Sequence, residues 1–279
     1  MKLQMTSPLR AGFQQAEAAD ISYIFHENTK LSNESARRLS RSFYVSHAEL
    51  FVSNRAFKQH RNAKAVALLD DETCNAKIHS QDLPEILSTR RSTQDLSSPL
   101  TLEQLSSVIE HSLGATCIYP TEEEGINQLR RAWPSAGGLY PIDTYILAQK
   151  VTGISPGIYS HNVPKQQLEK MPNERDVAEI IRDGFLWQDW ITSAAAIIVF
   201  VGVMSRNQTK YGARGYRLMM LDAGHAGQNL LLTSAALGLN SCPIGGFNDD
   251  ALAYELGVNG YDEAVIHAVA IGGCDDTSI

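Results

Sequence analysis

The spacing of apolar residues changes character along the chain. Residues 1 to about 80 are polar, with a few aromatics, and read as a mainly helical extension. DETCNAKIHSQDLPEIL (71–87) then serves as a Pro-marked connector. In LTLEQLSSVIEHSLG (100–114), Leu100, Leu102, Leu105, Val108, Ile109 and Leu113 recur at helical intervals and stop at Gly114, which predicts an amphipathic helix. DTYILAQK (143–150) and GIYS (157–160) predict strands around the Gly/Pro turn VTGISPG. SAAAIIVFVGVM (193–204) is a continuous β-branched run, the pattern of a strand covered on both faces. ARGYRLMMLDAGHAGQNLLLTSAALGL (213–239) predicts a long helix, apolar or small nearly all round and closed by Gly238. Such a helix belongs in a core or in a subunit interface. Ala223, Gly224, Ala226 and Gly227 would admit another backbone closely there. AVIHAVAIGG (264–273) predicts a last strand. The class that follows is α+β, with one main sheet and helices in a unit spanning 81–279, behind an extension over 1–80.

Composition removes several function classes. With 279 residues, 43% of them hydrophobic and 20% charged, the chain can bury a full core. A formal net charge of -7 argues against a nucleic-acid binder. No apolar stretch reaches the roughly 20 residues needed to cross a bilayer. The start, MKLQMTSPLRAGFQQAEAAD, lacks the apolar segment of a secretory signal. Four separated cysteines and eight histidines without HxxH, HxxxH or HExxH spacing indicate reduced thiols and no metal site. The expectation is a cytoplasmic protein with neither a nucleic-acid nor a membrane partner.

Four segments carry more polar chemistry than packing needs. STRRST (88–93) places two arginines among hydroxyls, a set of donors suited to a phosphate or to an ordinary loop. RRAWPSAGGLYPIDTYIL (130–147) combines stiff prolines with Gly137 and Gly138, which let backbone approach a ligand. NSCPIGGFND (240–249) reads as a loop between elements whose backbone could meet the edge of a flat ring. KYGARGYR (210–217) crowds Lys210 and Tyr211 at the mouth of the apolar helix, either to snorkel into water or to face a ligand. The basic ARRLSRS (36–42) reads as a solvated face or as a docking site for an acidic partner.

Taken in order, RRS, PSAGGLYP, RGYR…GQNLLL…ALGL and PIGGF resemble the nitroreductase-like flavoproteins over about residues 85–273. PSAGGLYP, KYGARGYR and, more faintly, FHENTK (25–30) resemble the azoline dehydrogenase branch, the SagB/McbC type. The resemblance implies a central, mainly antiparallel sheet flanked by helices, an obligate homodimer, and FMN at its interface. It places Arg90, Arg91 and Ser92 at the phosphate-ribityl end and pyrimidine edge. Pro134, Ser135, Ala136 and Gly137 would come from the other subunit. Pro243, Ile244, Gly245 and Gly246 would run along the flavin ring. Gln228 would be a cofactor contact or a buried amide. The end, IGGCDDTSI, lacks the basic residues that the broader family sets against the phosphate, so Arg131, Arg214 or Arg217 takes that place or FMN binds less tightly.

The resemblance also assigns proton chemistry to Lys210 and Tyr211. Aromatising a thiazoline or oxazoline removes a hydride and a proton from adjacent ring carbons, and a base must take the proton. A nearby cation lowers a phenol's pKa, so Lys210 tunes Tyr211, or the roles are exchanged. Helical neighbours point about 100° apart, so the pair is expected on a loop, which Gly212 allows. The implied activity is FMN-dependent oxidation of azolines to azoles in a ribosomally made peptide, with oxygen reoxidising the flavin. The precursor peptide and cyclodehydratase subunits would be its partners. The alternative is an NAD(P)H-dependent nitro- or quinone-reductase.

Overall fold

The computed structural model describes residues 21–30, 58, 60, 63–69, 82–120, 127–186 and 188–274. ARRLSRS, residues 71–81 of the connector and the acidic end after Cys274 lie outside them. The chain divides into two compact units, Met1–Ser42 and Phe43–Ile279. In the first, α1 (Ile21–Asn28) carries the start of FHENTK, and the Thr29 hydroxyl donates to the Phe25 carbonyl at 2.6 Å, closing its last turn.

The second unit runs β1 (Ala65–Ala67), α2 (Leu83–Thr89), β2 (Leu100–Thr101), α3 (Leu102–Leu113), β3 (Ala115–Pro120), β4 (Asn127–Arg131) and β5 (Ile142–Ala148). It continues with β6 (Val151–Thr152), β7 (Gly157–Asn162), β8 (Gln167–Lys170), α4 (Val177–Gly184), α5 (Asp189–Thr192) and β9 (Ala196–Val203). The last elements are α6 (Met204–Tyr211), α7 (Arg214–Ala236), β10 (Asn240–Ile244), α8 (Asp249–Glu255) and β11 (Glu263–Gly272). Seven strands form the main sheet in the order β1-β8-β7-β5-β9-β11-β10, each neighbouring pair antiparallel.

The continuous apolar run predicted to be covered on both faces is β9, and all of its residues are buried. Its side chains alternate between two layers. Ile198 and Phe200 join Ile146 of β5, Leu105 and Val108 of α3, and Met219 and Leu230 of α7. Ile197, Val199 and Val201 face the other way, with Tyr145 and Leu147 of β5, Ile180 and Ile181 of α4 and Leu252 of α8. Fully burying one such aliphatic side chain contributes roughly 1.5–3 kcal/mol, so the sheet's centre is its firmest part.

The helix ends are set by local chemistry. α3 begins with a capping box, in which the Thr101 hydroxyl accepts from the Gln104 amide and the Gln104 side chain accepts from the Thr101 amide. α7 closes on Gly238 at φ 68°, where Leu239 N–H donates to Ser234 O at 2.8 Å and Gly238 N–H to Ala235 O at 3.0 Å. Gly227 lets α7 lie close on β11, because a Cβ there would come within 3.0 Å of His267 Nε2.

Three expectations change. Ala65–Ala67 was expected in the helical extension and is instead an edge strand paired with β8. NSCPIGG was expected as a loop, but Asn240–Ile244 is the opposite edge strand, with Pro243 in register with Val269. Proline is tolerated there because an edge strand has a side that needs no ladder donor. The third concerns the long helix: within one chain Ala223, Ala226, Gly227 and Leu230 are buried while Leu221, Gly224, His225 and Gln228 are exposed, so the core covers one face and the subunit-interface alternative stays open for the other.

Candidate functional site

The sheet and α7 gather the candidate residues into two groups. The first lies along β10. Thr93 N–H donates to Ser241 O at 3.2 Å, and Asn240 Nδ2 donates to Asp95 O at 2.8 Å, so the segment after α2 runs beside that strand. This places Arg90, Arg91 and Ser92 on the same side of the fold as Pro243, Ile244, Gly245 and Gly246. Arg91 turns its guanidinium to the carbonyls of Ser88 and Arg90, both at 2.9 Å. Arg90 differs: its Nη1 is buried and has no hydrogen-bond partner. A guanidinium N–H without an acceptor is costly, and an incoming anion would satisfy it. Ile244 is buried, whereas Pro243, Gly245 and Gly246 are exposed. Gly246 O accepts from Gln188 Nε2 at 2.7 Å, and a Cβ at Gly245 would meet nothing within 4 Å. The result is open backbone at Gly245, on the same side of the fold as an arginine nitrogen that lacks an acceptor.

The second group centres on the turn Pro134–Gly138. Gly137, Gly138 and Tyr140 have φ of 65°, 66° and 46°, so the segment turns through the left-handed region three times. Asp222 of α7 holds one end: its Oδ2 accepts the Ser135 hydroxyl, and its Oδ1 faces Ala136 N–H at 3.5 Å. Ser135 Oγ also accepts Tyr140 N–H at 2.9 Å. Arg206 of α6 holds the other end, donating to Tyr140 O at 3.0 Å while it pairs with both oxygens of Asp143 at 2.8 and 3.2 Å.

Lys210 and Tyr211 close over this turn. A Cβ added at Gly137 would lie 2.6 Å from Tyr211 Oη and 2.8 Å from Lys210 Nζ, so both polar heads rest on one glycine. Lys210 Nζ stands 5.5 Å from the centre of the Tyr211 ring. The pair occupies the end of α6 rather than the expected loop; Gly212, at φ 53° and ψ -147°, terminates that helix. The two Cβ directions diverge, but a four-carbon stem and a phenol are long enough to meet beyond the helix end. Burial, and then the negative charge of Asp222, push the Tyr211 phenol above its ordinary value. This is opposite to the lowering expected from Lys210, and it leaves Tyr211 carrying its proton at neutral pH.

The other candidates are placed as follows. Arg131 is buried, with its guanidinium 5.1 Å from the centre of the Trp133 ring and 5.5 Å from that of Tyr140, and Nη1 donates to Ile142 O at 3.3 Å. Burial brings its pKa down to about 10, with the Asp143 charge acting against the fall. That is a place in the core behind the turn. Gln228 is exposed in the single chain, and its neighbour Asn229 donates to Ala132 O at 3.1 Å. Asp222 and the Arg206–Asp143 pair were not anticipated. The signal for Asp222 was available, since it is the lone acidic residue in the apolar stretch 213–239. A cavity of about 640 Å³ lined by His60, Lys64, Ser155, Lys170 and Asn173 shares no residue with either group. Among the described residues, no cluster of three or more His, Cys, Asp or Glu could hold a metal, and no helix is long and apolar enough to cross a membrane.

With this geometry in place, the nitroreductase family model matches residues 87–273. The chain belongs to the nitroreductase family. Proteins of this family are oxidoreductases that in general depend on FMN. A Methanocaldococcus jannaschii protein described as a nitroreductase is 29% identical over 185 residues, 66% of this chain and 88% of its own. The microcin B17-processing protein McbC of Escherichia coli is 24% identical over 137 residues, 47% of this chain and 50% of its own length. The trifolitoxin-processing protein TfxB of Rhizobium leguminosarum bv. trifolii is 26% identical over 152 residues, 52% of this chain and 40% of its own. The chain thus spans half or less of the two peptide-processing relatives. Among solved structures, an Anabaena variabilis protein described as a nitroreductase superposes with a TM-score of 0.70 at 26% identity, covering 90% of this chain and 46% of that one. A chain of the E. coli microcin synthetase McbBCD complex, with truncated pro-MccB17 bound, superposes at 0.55 and 18% identity over 91% of this chain and 87% of that one.

Proposed function

We propose that this nitroreductase-family protein oxidises peptide thiazolines or oxazolines to the aromatic azoles, with FMN as its cofactor. The observation that carries the reading is the meeting of Lys210 and Tyr211 on Gly137, which places two proton-handling heads at an exposed glycine turn. Sequence similarity to two peptide-processing proteins supports it.

The residues present fit FMN. The buried, unpaired Nη1 of Arg90 suits the anionic tail, with Arg91 and Ser92 exposed beside it. The uncovered backbone of Gly245, with Pro243, Ile244 and Gly246 on either side, suits the edge of a flat ring. When bound, FMN would supply the two-electron acceptor for the oxidation, with oxygen as the final acceptor. The chain's own part is to position the azoline and move one proton. Lys210 and Tyr211 are the two heads placed at the turn to move that proton. In this reading the two groups are halves of a site shared by a homodimer, the Pro134–Gly137 turn of one copy facing the Arg90 and Gly245 region of the other. The precursor peptide is the substrate, and cyclodehydratase subunits, which would form the azoline, are the partners. This follows the similarity to a chain of a synthetase complex.

A second reading, NAD(P)H-dependent reduction of nitro compounds or quinones, is favoured by the longer match to the M. jannaschii protein. An anaerobic visible spectrum of the purified chain separates the two. The first reading expects a yellow protein that stays yellow with NADPH and NADH and bleaches with a thiazoline peptide. Rapid bleaching by a nicotinamide, with no response to the peptide, would sink it in favour of the second.

A further inference from the structure

Asp222 ties the glycine turn and the Lys210–Tyr211 pair to one helix. It is 3% exposed and is surrounded along α7 by apolar and small residues. Its carboxylate accepts the Ser135 hydroxyl, and the same hydroxyl oxygen accepts Tyr140 N–H, so residues 135–140 close into a strap. Inside the strap lie three residues at positive φ, one of them Tyr140, which has no glycine's freedom there. Such a backbone persists only when its surroundings hold it. Asp222 holds it at one end and Arg206, through Tyr140 O, at the other. Gly137 sits between these anchors, under both heads.

A neutral amide or hydroxyl could accept the Ser135 bond at smaller desolvation cost, so the charge itself calls for a use. We infer that Asp222 is a positioning residue for the Lys210–Tyr211 pair, holding the turn against both heads through Ser135 and keeping its carboxylate near the Tyr211 phenol. Two electrostatic directions accompany this geometry. Burial and then the Asp222 charge raise the Tyr211 phenol. Burial also raises Asp222 itself, against the lowering bonds from Ser135 and Ala136 and the nearby His225. The charged groups that act on this arrangement are Asp222 on Tyr211 and His225 on Asp222, both from α7, beside Lys210 of α6. The strap contributes Tyr140, whose ring lies against Trp133 and Arg131. Arg206 and Asp143 close its far end. The inference rests on the proposed reading only for the reaction that the pair serves.

The test uses the full chain labelled at tyrosine Cζ with carbon-13, the Tyr211 signal being assigned by its loss in Tyr211→Phe. Asp222→Asn keeps an acceptor for Ser135 and removes the charge. The expected result is a Tyr211 titration midpoint displaced to lower pH, and a midpoint identical to that of the unaltered chain overturns the inference. The strap is read separately, as a nuclear Overhauser contact between Gly137 Hα and the Tyr211 ring. That contact should be present in the unaltered chain and lost in Ser135→Ala, which leaves the carboxylate in place; its persistence in Ser135→Ala overturns the positioning role, even if the Asp222 variants do not fold. In an azoline assay, Asp222→Ala should lower kcat by roughly 10²-fold with little change in KM, as expected of a displacement of about 1 Å near the reacting groups. The two resonance measurements need neither FMN nor substrate. A protein that gives both the displaced midpoint and the lost contact but does not oxidise azolines therefore refutes the proposed reaction and leaves the role of Asp222 standing.

Discussion

The phenol oxygen of Tyr211 occupies the space that a side chain at residue 137 would need: an added Cβ would lie only 2.6 Å from it. Glycine is required at 137 for a second reason, its φ of 65°. Gly137→Ala therefore combines a strained backbone, costing of order 1–3 kcal/mol, with eviction of both heads. Activity should fall by roughly 10²-fold or more, while thermal unfolding shifts only by the backbone cost. A Gly137→Ala protein that keeps its turnover would mean that the heads are not used where the structure places them.

Tyr211→Phe removes one oxygen and leaves the ring in place. If Tyr211 handles a proton in the reaction, azole formation should drop by about 10²–10⁴-fold, with flavin content and melting temperature unchanged. Measuring the flavin absorbance per chain beside the rate separates loss of chemistry from loss of cofactor.

The unpaired Nη1 of Arg90 gives the flavin assignment its own check. Hydrogen bonds to charged groups contribute about 1.5–3 kcal/mol, so Arg90→Ala should weaken FMN binding by roughly 10- to 100-fold. Fluorescence quenching of FMN titrated with the apoprotein reads this directly. Equal affinity in the variant would remove Arg90 from the phosphate end.

Arg206 and Asp143 form a mostly buried pair, with side-chain exposures of 7% and 15%. Removing one member leaves the other charge without its partner, which typically costs about 3–5 kcal/mol. Asp143→Ala should lower Tm by roughly 10 °C and, by removing the carboxylate that orients Arg206, should loosen its hold on Tyr140 O and lower activity. The replacement of both residues by apolar ones of similar size should recover part of the stability and none of the activity.

Much of this architecture is legible in the chain. β9 and α3 follow from one-dimensional patterns because each buries side chains at its own period, continuous for a strand covered twice and three-to-four for a helix on a sheet. β1 and β10 were hidden because they are edge strands: β1 is only three residues long, and β10 is partly polar and interrupted by Pro243. Their identity comes from a ladder partner far away in sequence. The site divides in the same way. Gly137, Lys210 and Tyr211 stand out as motif residues, but nothing local says that they meet, since 73 positions separate Gly137 from Lys210. Asp222 could have been suspected as a lone carboxylate in an apolar helix. The sign of its effect on Tyr211 could not, because that depends on which residues share a buried space.

His161 of β7 supplies a stability prediction that is independent of function. It is buried, its Nδ1 has no partner, and burial, followed by the positive charge of Arg131, pulls its pKa down to about 3 from the ordinary value near 6.5. Above pH 6.5 the ring is neutral whether the chain is folded or not, and it contributes no pH dependence. Between about 6.5 and 3 the unfolded chain binds a proton that the folded chain does not, so stability falls as pH falls, by up to about 1.4 kcal/mol per unit. Below about 3 both forms are protonated and the slope from this group ends. His60 and His267, also lowered mainly by burial, add dependence of the same sign. Urea unfolding of the unaltered chain and of His161→Gln should therefore diverge in slope as pH is lowered from 6.5 to 4, the variant losing stability less steeply. Parallel curves would show that the His161 ring already finds a proton acceptor or water in the folded state, and that its buried environment is not the one described.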